Sequence, residues 1–195
     1  MRNYIAYGFF SFVCIFECSA QSSLDAHVHG EANLNIVLEN RNLLIEFESP
    51  SYNLVGFEHE PKNTNQKKSV ENAISLLENP KNIFQVSSEA ECRSLDALVT
   101  SSMVGIAKEN HEDHGDEDHG DEHHGDSETH HTEKEVHSEF AANYSMVCEK
   151  PENFKLIALR LFNSFELMEE VEVQWIIQDK QGFAELTPDS PNLEL

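Results

Sequence analysis

Eleven histidines stand in the chain, and eight of them fall between Glu109 and Glu139 with 13 acidic residues and one lysine. Three near-copies of a pentad run in succession: Glu112-Asp113-His114-Gly115-Asp116, Glu117-Asp118-His119-Gly120-Asp121 and Glu122-His123-His124-Gly125-Asp126. Neutral imidazole is a common zinc ligand, and carboxylates complete the ion's tetrahedron. Glycine after each histidine or histidine pair leaves the backbone free to fold donors around an ion. The adjacent acids concentrate divalent cations and favour protonated imidazole, so binding should weaken as pH falls. His111, His114, His119, His123, His124, His130 and His131 are therefore candidate ligands for several weakly held ions, because each event must order the chain. Imidazole by itself does not choose among zinc, nickel and copper.

The other four histidines, His137 of that stretch among them, lie in or beside folded sequence. His27 and His29 are two apart just before an alternating segment, and an extended backbone puts their side chains on one face. Such a pair grips an ion from one side. His59, in Gly56-Phe57-Glu58-His59, and His137, at the end of the histidine-rich stretch, read by themselves as surface residues. Glu31, Glu58 and Glu139 are isolated oxygen donors. Val28-His29-Gly30-Glu31 recurs as Val136-His137-Ser138-Glu139, which would give His29 and His137 equivalent places in two pseudo-symmetric halves.

The elements that must position these residues are short. Leu34, Ile36 and Leu38 alternate with polar positions, Glu39 to Asn42 form a turn, and Leu43 to Glu48 return as a second strand that Pro50 ends. Asn63 to Asn65 can cap a helix with Val70, Ala73, Ile74 and Leu77 on one face, stopped at Asn79-Pro80. Ile83 to Val86, Leu95 to Val99, Phe154 to Phe162, Val171 to Ile177, Phe183 to Leu186 and Leu193 to Leu195 read as further strands, and Tyr144 to Val147 precedes Cys148. Lys108 to Val136 lacks periodic apolar residues and reads as a disordered insert, 108–136. The expected fold class is α+β, mainly antiparallel with one or two helices, as one domain over 21–195.

Met1 to Tyr4 followed by an uncharged run from Ile5 to Phe16 and small residues at Cys18-Ser19-Ala20 has the layout of a secretory leader, residues 1–20. Twelve apolar residues span only about 18 Å as a helix, too short for a bilayer, so no membrane anchor is expected after cleavage. Cys92 and Cys148 then remain, and two thiols in an oxidising compartment read as one disulfide, with free thiols as the alternative. A net charge of −23, from 13 basic and 36 acidic residues, excludes nucleic acid and anionic lipid as partners. The chain has no His-Glu-x-x-His, Gly-x-Ser-x-Gly, phosphate-loop or dinucleotide motif, so no enzyme is indicated.

His27-Val28-His29-Gly30-Glu31-Ala32, Leu54-Val55-Gly56-Phe57-Glu58-His59, a cysteine on either side of the acidic histidine stretch and Ala184-Glu185-Leu186-Thr187 together resemble the ZrgA-type periplasmic zinc uptake proteins. The resemblance implies a periplasmic protein that binds Zn(II) and works with ABC-type zinc transporter components rather than by catalysis. It supports His27, His29 and His59 as ligands through the two motifs, and His137 as the histidine before the next strand. A zinc buffer or metallochaperone without a transporter is the alternative. A metal-dependent hydrolase, with Glu31 or Glu58 as base, is the third reading.

Overall fold

The alternation in the first apolar segment produces β1 (Glu31–Glu39) and β2 (Asn42–Pro50), an antiparallel hairpin in which Leu34 faces Phe47 and Ile36 faces Ile45. The computed structural model describes residues 28–103 and 137–195. The leader 1–20, His27 and the insert 108–136 with its seven histidines lie outside the described residues. Pro50 ends β2 and caps a one-turn helix, α1 (Ser51–Val55). The chain continues through α2 (Thr64–Leu77), α3 (Pro80–Ile83), β3 (Phe84–Val86) and β4 (Cys92–Ser101). After the insert come β5 (Glu139–Cys148), β6 (Leu156–Leu159), β7 (Glu170–Ile177), β8 (Lys180–Leu186) and β9 (Asn192–Glu194).

Six strands form one sheet in the order β4-β5-β2-β1-β7-β8, and β3-β6-β9 form a second, smaller one. All pairings are antiparallel except β1 with β7, so the expected mainly antiparallel α+β class holds. One face of the large sheet is buried, carrying Leu34, Ile36, Leu43, Ile45, Phe47, Phe140 and Val173. On α2, the period of 3.6 brings Val70, Ala73 and Leu77 into the same core. Its start is fixed by Asn63, whose side-chain oxygen accepts from Gln66 N at 3.0 Å. Its end is tied to the sheet by Tyr144, which donates to the Leu77 carbonyl at 2.8 Å; burial pushes that phenol well above its ordinary range. Cys92 faces Cys148 in the β4–β5 ladder, and the two are joined as a disulfide.

Trp175, the only tryptophan, lies over Gly182 on the neighbouring strand. A Cβ at position 182 would stand 2.3 Å from the indole, so a side chain there must push the ring off the sheet. Gly182→Ala is therefore expected to cost about 1–3 kcal/mol and to shift tryptophan emission to the red. Unchanged emission would show that the ring does not rest on that glycine.

Candidate metal centre

β1 and β5 both run antiparallel to β2, so they are parallel to each other with β2 between them. Pro50 pairs with Glu139, and Asn33 pairs with Glu48; continuing that register by two residues sets Glu31 on the other side of Pro50, about 9–10 Å from Glu139 at two strand spacings. His29 and His137 each precede their strand by two residues. The sequence repeat therefore has a spatial meaning: both histidines stand at the same end of the sheet. The equivalence ends with β1 and β5 themselves, because β2 returns beside β1 whereas β6 joins the second sheet.

The segment leaving β2 passes between the two histidines and brings in Glu58. Glu58 Oε1 lies 3.4 Å from His29 Nε2, and Oε2 lies 3.7 Å from His137 Nδ1. The carboxylate is only 17 % exposed, and its Oε1 is buried without a hydrogen-bond partner. A buried carboxylate oxygen without a donor is costly, and a bound cation would relieve that cost.

The backbone around these side chains is stapled from three directions. Gly30, at φ +93°, donates its N–H to Asn53 Oδ1 at 2.7 Å, while its carbonyl accepts from Glu169 N at 2.8 Å and Glu170 N at 3.0 Å. The left-handed φ suits glycine, and a Cβ there would also meet the Glu169 side chain at 3.3 Å. Asn53 Nδ2 donates to the Glu31 carbonyl at 2.7 Å and to Ser49 Oγ at 3.1 Å. Ser138 donates its hydroxyl to the Glu58 carbonyl at 2.7 Å, and its own carbonyl accepts from Ser51 N at 2.8 Å. Tyr52, one residue before Asn53, stacks on His29 with ring centroids 4.1 Å apart and planes 13° apart.

Asn53→Ala removes three of these bonds and strands the Gly30 N–H. A loss of about 3 kcal/mol in urea unfolding is expected. A loss below about 0.5 kcal/mol, less than one ordinary hydrogen bond, would mean that the turn holds itself.

Of the sequence-derived ligands, His29 and His137 are brought together on Glu58. His59, the next residue along, is exposed; its ring stacks on Phe57 at 5.0 Å and its Nδ1 donates to the Glu60 carbonyl at 2.9 Å. A carbonyl only accepts, so the neutral ring keeps its lone pair on Nε2. Sequence reasoning gives Glu58 little weight and passes over Tyr52 and Asn53. The signal for them is the break after Pro50, where a Ser-Tyr-Asn turn followed by Gly56 forms a one-turn helix closed by a left-handed residue.

Among the described residues, no three His, Cys, Asp or Glu side chains converge closely enough to hold a metal ion by themselves. The imidazoles address opposite oxygens of Glu58, so a shared ion requires side-chain rotation or a further donor. Among the described residues, no helix is long and apolar enough to cross a membrane.

Two imidazoles stand beside one largely buried carboxylate at the end of a mainly antiparallel sheet, and imidazole and carboxylate are both zinc donors. Residues 26–195 match the model of the ZrgA family zinc uptake protein, and the chain belongs to that family. Its role accordingly lies in zinc uptake, and the family is not one of enzymes. No curated protein matches the chain.

Proposed function

We propose that this is a periplasmic protein that captures Zn(II) and hands it to an ABC-type uptake system. One ion is taken at the sheet end by His29 and His137 with Glu58, completed by His59 or His27. The histidines from His111 to His131 gather further ions at lower affinity. The observation that carries the reading is the buried Glu58 oxygen that makes no hydrogen bond and lies 3.4 Å from His29, on a carboxylate that His137 also approaches. Family membership supplies zinc as the cargo, and the leader-like start supports export. The insert joins the end of β4 to His137, so ions gathered there are tethered next to the folded site.

Calorimetric zinc titration of the chain without residues 1–20, with and without a Lys108–Glu135 deletion that keeps His137, tests this. One tight site should survive the deletion while the weak ones vanish. If all binding leaves with the insert, the folded site is refuted. Affinity at the surviving site should fall with pH below the imidazole range, by roughly tenfold per unit for each ligating ring, because each must be neutral to bind. A pH-independent site would exclude histidine ligation. Uptake that is unchanged in cells lacking the protein, with reduced tolerance of excess zinc, would instead favour the buffer.

A further inference from the structure

One face of the large sheet buries the core; the other is uncovered among the described residues. On five of its six strands, β5, β2, β1, β7 and β8, no lysine or arginine occupies an outward position; the sixth, β4, carries Arg93 beside Val147, at the end away from the histidines. Near the histidine end this face carries Glu31, Glu48, Glu139, Glu170, Glu172 and Glu185. Glu172 and Glu185 are direct cross-strand partners, as are Glu31 and Glu170. Like charges placed opposite one another are destabilising, and burial together with Glu185, Glu31 and Glu172 holds the Glu170 carboxyl above its ordinary range.

Further along the same strands the face turns apolar. Leu44, Val37 and Ile176 lie side by side in register across three strands, with Phe183 in the next row. Leu44, Ile176 and Phe183 are each about half exposed. Val37, Ile176 and Phe183 help line a depression of about 640 Å³. An apolar stripe beside an acidic field that has no lysine or arginine at the histidine end is poorly designed for water alone.

We propose that this face docks the protein that receives zinc from this chain, a partner with an apolar centre and a rim of lysine and arginine. The inference rests on the uptake reading above and names the surface that reading needs. Charge decides among occupants. A second copy would set glutamates against glutamates, and anionic lipid would be repelled in the same way, whereas a basic rim relieves the crowding around Glu170. Position agrees, because Glu31 and Glu139 are two residues from His29 and His137, so a partner over the glutamates reaches the edge of the zinc site. The stripe at Val37 is about 20 Å away along β1. A face some 19 by 27 Å, from four strand spacings and about eight residues of rise, is near the low end of stable interfaces and suits a transient transfer contact.

The test uses the full chain in cells that depend on it for zinc under chelation, with two variants. Ile176→Glu with Phe183→Glu charges the stripe. Glu172→Lys converts a like-charge pair into an opposite-charge one, so it should leave the fold at least as stable. Both should keep the wild-type calorimetric zinc profile yet take up zinc at least tenfold more slowly. Uptake at the wild-type rate in both variants overturns the docking face and leaves the uptake reading standing. If the wild-type chain adds nothing to uptake, the parent reading falls and this one with it. If sedimentation shows a wild-type dimer that either variant dissociates, the face is a self-interface and the proposal is wrong.

Discussion

Glu58→Gln is expected to stabilise the metal-free protein and to weaken its tight zinc site, two effects of opposite sign from one carboxylate. Without metal, a mostly buried anion has one oxygen with no hydrogen-bond donor. Glutamine keeps the shape and removes the charge, which should add about 1 kcal/mol in urea unfolding. With zinc, the same change removes the anionic donor between two imidazoles and should lower affinity by roughly a hundredfold, about 2.7 kcal/mol. At free zinc a hundred times the wild-type Kd, binding adds about 2.7 kcal/mol to wild-type stability. The variant at that concentration gains only about 0.4 kcal/mol, so the ranking of the two proteins reverses when zinc is added. His29→Ala and His137→Ala should lose affinity to a similar degree without the gain in metal-free stability, since neither removes the buried charge. A Glu58→Gln protein that binds zinc within twofold of wild type would remove Glu58 from the site and leave its burial without a function.

How much of this is legible in the residues depends on whether a feature is local or assembled. The β1–β2 hairpin and α2 are readable because alternation, a 3.6-residue period and the Asn63 cap act over neighbouring residues. The recurrence of Val-His-x-Glu points to His29 and His137 without any knowledge of the fold. Phe154 to Phe162 misleads in extent: only Leu156–Leu159 is strand, flanked by single 3-10 turns at Pro151–Asn153 and Leu161–Asn163. The second sheet is built from pieces of three or four residues, too short to show a period, and they pair only because distant segments meet. Parallel pairing of β1 with β7 is likewise a tertiary event. Glu58 is the hardest to find. Its importance lies in burial and in two neighbours, each at least 29 residues away in sequence, and one acid in an acidic chain carries no such mark.

Breaking the Cys92–Cys148 bridge is expected to cost stability while sparing the folded zinc site. The two cysteines are 56 residues apart, and in the chain-entropy account a loop of that size is worth about 4 kcal/mol. For a chain of this length that corresponds to a fall of roughly 10 °C in melting midpoint. The loop contains the whole histidine-rich insert, so without the bridge the unfolded chain regains the freedom of a long acidic segment. The bridge closes one end of the β4–β5 ladder, whereas Ser101 and Phe140 pair at the other, where the insert leaves and returns. His137 is at that second end. It is held there by the Ser51–Ser138 and Ser138–Glu58 bonds rather than by the cysteines. Cys92→Ser with Cys148→Ser should therefore melt early, yet below its transition it should bind zinc at the tight site with wild-type affinity. Loss of tight binding in a variant that circular dichroism shows to be folded would mean that strain passes the full length of β5. The site would then depend on the disulfide, and zinc capture would be sensitive to the redox state of the compartment.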